Sequence, residues 1–133
     1  MSWLLIAIGS ALGGVARHAV GLFVTQKWGS VFPWGTLTVN VVGSFSIGVL
    51  GALVAVSQRT STADAVRELL MIGFLGGFTT FSAFSLQTLQ LMRDGRPAYA
   101  LANVSVSIAA CLLAVWLGYV LGQFLSFRSG QSP

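Results

Sequence analysis

Apolar residues run almost unbroken along this chain in four stretches, Trp3 to Thr25, Trp34 to Val56, Leu69 to Met92 and Ala98 to Phe124. Nearly all of the charge falls in the short segments between them. Each stretch reaches the roughly 20 residues that a helix needs to cross a bilayer. The pattern predicts four transmembrane helices, numbered 1 to 4 in that order, in a single domain spanning residues 1–133. The short polar segment from Ser57 to Thr62 is expected as a loop, and Ser126 to Pro133 as a disordered tail. Met1 runs almost directly into apolar sequence without a basic lead, so helix 1 is expected to stay in the protein rather than be cleaved as a signal peptide.

One of the four stretches is unlike the others. From Gly73 to Ser85 the chain reads GFLGGFTTFSAFS, with three glycines, two threonines and two serines among four phenylalanines. Glycine and β-hydroxyl residues loosen the helical hydrogen-bond ladder. Backbone groups freed at membrane depth are tolerated only inside protein or against a water-filled cavity. Helix 3 is therefore expected to break there, at a binding or permeation site.

Composition agrees with the hydropathy pattern. The chain is 55% hydrophobic and 8% charged, with a mean hydropathy of +0.84, values that exclude a soluble domain of 133 residues. A net charge of +4 would suggest nucleic acid in a soluble protein, but the basic residues are scattered singly along the connections. Their placement says more than their sum. Taking the spans in order, Arg59, Arg67 and Arg128 fall on one side of the membrane and Lys27, Arg93 and Arg96 on the other. With no excess on either side the positive-inside rule sets no orientation. The chain is expected to insert both ways and to form an antiparallel homodimer. The spacings Gly9–Gly13, Gly73–Gly77 and Gly118–Gly122 permit close helix contact, and these small-residue faces are expected to favour oligomerisation. Trp3, Trp28 and Trp34 sit where interfacial anchors belong. Cys111 is the only cysteine, which excludes an intrachain disulfide and a multi-cysteine metal site.

The chemistry available at membrane depth is narrow. Asp64, Glu68 and Asp94, the only acids, lie in loops or at helix ends. A proton-coupled or cationic-drug exporter of this size needs an intramembrane carboxylate, so that class loses its main requirement. An enzyme finds no nucleophile-base pair, and His18 is the single histidine. What remains inside is a set of donors suited to an anion. Arg17, after the small run Gly13 to Ala16, either snorkels toward the end of helix 1 or sets a positive potential at a vestibule. Asn40, in the run GTLTVNVVGS on helix 2, is either an interhelical tie or an amide donor to an anion. Asn103, Ser107 and Cys111 recur at i, i+4 and i+8 and stack on one face of helix 4. Phe81 and Phe84 share a face of helix 3, where they either pack or present their partly positive ring edges.

The run GFLGGFTTFSAFS on helix 3, with GTLTVNVVGS on helix 2 and LGGVAR on helix 1, closely resembles the Fluc (CrcB-type) fluoride channels of microbes, over essentially the whole chain. The resemblance implies an antiparallel dual-topology dimer in the cell membrane, with two pores that export fluoride passively and protect the cytoplasm. It implies a pore built from Phe81, Phe84 and Asn40, with Thr80 and Ser82 beside them and a hydroxyl track at Ser107 and Cys111. It places Arg17 and Thr38 at the vestibule and a structural Na⁺ on the backbone carbonyls of Gly76 and Thr79, at the dimer interface. Some relatives have a serine where Cys111 stands and an aromatic residue where Asn103 stands. Two other readings remain at this stage, a small dual-topology cation exporter and a non-transporting membrane subunit.

Overall fold

The computed structural model describes residues 2–56 and 61–128, and all regular structure among them is helical. Helix 1 spans Ser2–Trp28, helix 2 Trp34–Val56 and helix 4 Pro97–Arg128. The third span is composite. A short helix Ser61–Val66 passes into a π-helical stretch, Arg67–Leu75, and a last turn, Gly76–Phe78; residues 61–78 are called helix 3a. After an interruption at Thr79 and Thr80 the chain resumes as helix 3b, Phe81–Arg93. All four spans are long and apolar enough to cross a membrane, and the molecule is a multi-pass membrane protein.

Several ends differ from expectation. Helix 4 runs through Ser126 to Arg128, which were expected in a disordered tail; residues 129–133 lie outside the described part. The third span starts at Ser61, not Leu69, while residues 57–60 of the expected loop, Arg59 included, lie outside the described part. Glycines at positive φ make the turns. Gly29 (φ 84) ends helix 1, its N–H donating to the Thr25 carbonyl at 2.9 Å. Gly95 (φ 70) ends helix 3b, where the Arg96 N–H returns to the Leu91 carbonyl at 2.9 Å and the Gly95 N–H to Met92 at 3.2 Å. That is the paired closure a left-handed glycine allows, and Pro97 then opens helix 4 where its missing N–H costs nothing.

The glycine spacings are used within one protomer. A Cβ on Gly13 would overlap the Phe74 carbonyl oxygen and one on Gly9 the Leu69 carbonyl oxygen, so helix 1 touches helix 3a backbone to backbone. In the same way Gly118 faces the Phe45 carbonyl and Gly48 the Val115 carbonyl, which joins helix 2 to helix 4. In lipid, helices associate through packing rather than through hydrophobic burial, and small residues give the closest approach. The expectation that these faces favour oligomerisation is therefore corrected: their glycines are already covered inside the protomer. The fold consists of two tight pairs, helix 1 with helix 3a and helix 2 with helix 4, with the interruption of helix 3 held between them. At one membrane boundary Phe32 stacks near Trp34 (ring centroids 4.6 Å) and reaches Tyr99 on helix 4 (6.4 Å), fixing the short connection between helices 1 and 2.

Candidate functional site

The interruption begins where helix 3a runs out of ladder. Thr79 (φ −82, ψ 158) and Thr80 (φ −154, ψ 110) are both extended. Thr79 closes helix 3a, its N–H and its Oγ1 each donating to the Leu75 carbonyl at 3.0 Å. Thr80 opens helix 3b by accepting the Ala83 N–H on its Oγ1 at 3.2 Å, the bond of an N-cap residue. The same oxygen shares a hydrogen bond with Ser82 Oγ at 3.2 Å.

The main chain of Thr80 is buried and lies outside both helices, so its polar groups need other partners. Asn40 supplies both. The Thr80 N–H donates to Asn40 Oδ1 at 2.8 Å, and Asn40 Nδ2 donates to the Thr80 carbonyl at 3.1 Å. Of the two sequence readings of Asn40, the tie is made here, between helix 2 and the interruption; one of its two amide N–H groups remains after the tie is made. The Thr80 N–H would otherwise have closed a turn on the Gly76 carbonyl, which is thereby left without its helical donor. Gly43, one turn along helix 2, lets the interruption lie close, because a Cβ there would overlap Thr79 Cγ2.

Beside the interruption lies a cavity of about 430 Å³. Asn40, Thr80, Phe81 and Phe84 line one part of it, and Ser107 and Cys111 of helix 4 another. Gly76 and Thr79 complete the wall from helix 3a. Ser82 is not among the lining residues; it is exposed and reaches the site only through Thr80. Among the described residues no carboxylate lines this cavity. The two phenylalanine rings sit 5.3 Å apart and tilted by 42°, yet their surroundings differ: Phe84 is buried, whereas Phe81 is 78% exposed in the protomer. The polar stripe of helix 4 is partly turned inward. Asn103, 1% exposed, donates from Nδ2 to Thr88 Oγ1 at 2.8 Å, and Thr88 donates to the Phe84 carbonyl at 2.8 Å. Ser107 reaches Asn103 Oδ1 only at 3.4 Å, a long bond that holds its hydroxyl weakly.

A second, wider recess of about 660 Å³ opens toward the connection between helices 1 and 2. Arg17 and His18 line it from helix 1, Gln87 and Gln90 from helix 3b, and Asp94 and Arg96 from the turn that follows. Thr38, expected at the vestibule, does not line it; Thr36 does. Two residues along an α-helix turn the side chain to the opposite face. Thr80 lines both cavities, so the two adjoin at this residue. The sequence reading missed Gln87 and Gln90. Their signal was present in the spacing of Thr80, Ala83, Gln87, Gln90 and Asp94, which follows one helical face down to the break.

Among the described residues no group of three His, Cys, Asp or Glu side chains could hold a metal ion. Main-chain oxygen is the remaining donor set, and the Gly76 carbonyl is suited to it. It lacks its helical donor, and Gly76 is exposed in the protomer.

Residues 4–119 match the family model described as CrcB-like protein, Camphor Resistance (CrcB). A protein of Methylocella silvestris named fluoride-specific ion channel FluC is 50% identical over 98% of this chain and 99% of its own length. One of the same name from Opitutus terrae is 51% identical over 97% of this chain and 98% of its own length. A third, from Paramagnetospirillum magneticum, is 44% identical over 95% and 98%. With the family model matched over most of the chain, and relatives of this identity aligned from end to end, the chain belongs to the CrcB-like family.

Proposed function

We propose that this protein is a fluoride channel that lets the anion leave the cytoplasm passively. The observation that carries the reading is the cavity at the break of helix 3, mostly apolar but carrying the donors of Asn40, Thr80 and Ser107 and, among the described residues, no carboxylate, in a chain whose relatives are named fluoride-specific ion channels. Fluoride is small and strongly hydrated, so a pore must replace water contacts with donors at close range. The remaining N–H of Asn40, the hydroxyls of Thr80 and Ser107, the Cys111 thiol and the ring edges of Phe81 and Phe84 form such a set, with Ser82 acting through Thr80. None carries a charge that would trap the ion. An inside-negative potential is worth about 2.3 kcal/mol per charge per 100 mV and drives an anion outward without a coupled energy source. The test is fluoride efflux from proteoliposomes with chloride as control. Rapid fluoride loss with chloride retained is expected, and equal efflux of both anions overturns the reading.

The working unit in this proposal is an antiparallel homodimer of dual topology. The balance of basic residues across the membrane supports dual insertion. Support for a partner comes from Phe81 and Gly76, which line the cavity yet stand open in one protomer. In that assembly the carbonyls of Gly76 and Thr79 would hold a structural Na⁺ at the interface, as hard oxygen donors suit a hard cation.

Two substitutions probe the path. Phe81→Ile removes an exposed ring, so the protomer loses little packing and folds as before; fluoride efflux is expected to fall at least about tenfold because the polarised edge is lost. Wild-type efflux from the folded variant would make this ring mere packing. Arg17→Glu reverses the charge lining the recess and is expected to slow efflux on the order of tenfold at low ionic strength, with the deficit shrinking as salt is raised. A deficit independent of salt would point to altered folding instead.

A further inference from the structure

The outer recess is far larger than a monatomic anion needs, and its chemistry is that of a different ligand. At about 660 Å³ it takes a polyatomic anion with some of its hydration. Two guanidiniums, Arg17 from helix 1 and Arg96 from the turn after helix 3b, line the same recess from different elements. Asp94 and His18 are the other titratable groups on its wall. Among the described residues neither arginine is engaged by a carboxylate. Guanidinium presents a planar fork of donors that matches the oxygens of a phosphate group, and two forks from separate elements can hold one phosphate between them.

A second observation narrows the ligand. Gln87 lines the recess, and its Oε1 is buried without a hydrogen-bond partner. A buried acceptor left without a donor is costly, and the last torsion of a glutamine side chain is soft, so the amide can turn toward an occupant. The donor it wants is an O–H. Monohydrogen phosphate carries one and dihydrogen phosphate two; sulfate, of similar size and charge, carries none at neutral pH.

We propose that the recess binds a phosphate group bearing a P–OH, held between Arg17 and Arg96 and donating to Gln87, and that its occupation closes the route to Thr80. Thr80 lines both the recess and the cavity at the helix break, so in the channel reading a phosphate bound in the recess stands on the route between them. The chemistry is met by free inorganic phosphate or by the monoester headgroup of phosphatidate. The block of fluoride rests on the channel reading above, whereas the binding does not.

Binding and flux are therefore measured separately. Inorganic phosphate is titrated calorimetrically into detergent-purified protein, wild type and Arg96→Gln, with sulfate in parallel. Saturable phosphate binding is expected, about tenfold weaker in the variant, the loss of roughly one charge-assisted contact, and weaker for sulfate than for phosphate. No saturable binding, equal affinity in the variant, or sulfate binding as tightly as phosphate overturns the site. Fluoride efflux is then followed in phosphatidylcholine vesicles with added inorganic phosphate, and in vesicles containing phosphatidate without it, each rate normalised to the untreated protein in phosphatidylcholine. Slowing in the first arm assigns the site to free phosphate. Slowing in the second alone, relieved by Arg96→Gln, assigns it to the lipid headgroup, and slowing in neither overturns the block. Binding without any fluoride flux would sink the channel reading and leave the site standing.

Discussion

Asn40→Asp should abolish measurable fluoride efflux while the protein still folds. The substitution keeps an oxygen for the Thr80 N–H but replaces the amide that donates to the Thr80 carbonyl at 3.1 Å. Two acceptors then face each other, and the one N–H that the amide had left for an anion disappears with it. If ionised, the new carboxylate lines the inner cavity with a negative charge where none stood. A rise of about 3 kcal/mol in the barrier for an anion lowers its rate roughly a hundredfold, and a like charge about 4 Å away supplies about 4 kcal/mol at an effective dielectric of about 20. Efflux of fluoride from proteoliposomes and the elution profile of the purified protein decide the matter. Undiminished flux from a folded Asn40→Asp protein would take the Asn40 amide off the ion path. Asn40→Ala offers the comparison. It leaves both polar groups of Thr80 without partners, at about 1–3 kcal/mol each when buried, and is expected to cost stability as well as flux.

The second large effect separates two neighbouring glycines. At Gly13 an added methyl group meets the Phe74 carbonyl and lies 2.9 Å from the Phe78 nitrogen, both main-chain atoms that no rotamer change can clear. At Gly14 it meets nothing within 4 Å. Gly13→Ala should therefore force helix 1 off helix 3a, with the roughly 1–3 kcal/mol of an overpacked core or more, and yield little monodisperse protein. Gly14→Ala should purify at least as well as wild type, since alanine gains about 1 kcal/mol over glycine within a helix. Thermal unfolding followed by circular dichroism reads both. Equal melting temperatures would mean that the contact between helix 1 and helix 3a yields more readily than a backbone seam can.

The four spans were legible because lipid leaves so few alternatives: a long apolar run can only be a helix. The break at Thr79 and Thr80 was legible too, because glycines and hydroxyls crowded into the one stretch that should have been the smoothest. What the pattern could not carry was partnership. Nothing in GTLTVNVVGS says that Asn40 meets the main chain of a residue 40 positions away, or that Thr36 rather than Thr38 faces the recess. The glycine spacings were visible, but a small-residue face is the same whether its partner lies in one chain or two. The π-helical stretch Arg67–Leu75 left no mark in composition, although it lies where helix 3a packs backbone to backbone against Gly9 and Gly13. Gln87 was not legible because an amide two turns past the break has the same sequence signature whether it faces lipid, a neighbouring helix or the recess that it lines.

That Thr80 lines both the wide recess and the cavity at the helix break also bears on where the electric field falls. Helix 3b is 13 residues long, about 20 Å at 1.5 Å per residue, so the recess carries water through a large part of the membrane on that side. A wide aqueous path conducts too well to sustain much of the voltage drop. In the channel reading the potential is then concentrated across the smaller cavity beyond Thr80. An anion resting beside Arg17 would feel almost none of the applied voltage, while one passing Phe84 would feel most of it. Occupants of the outer recess would accordingly act with the same strength at every membrane potential, and the steepness of the current-voltage relation would be written by a few ångströms around the break in helix 3.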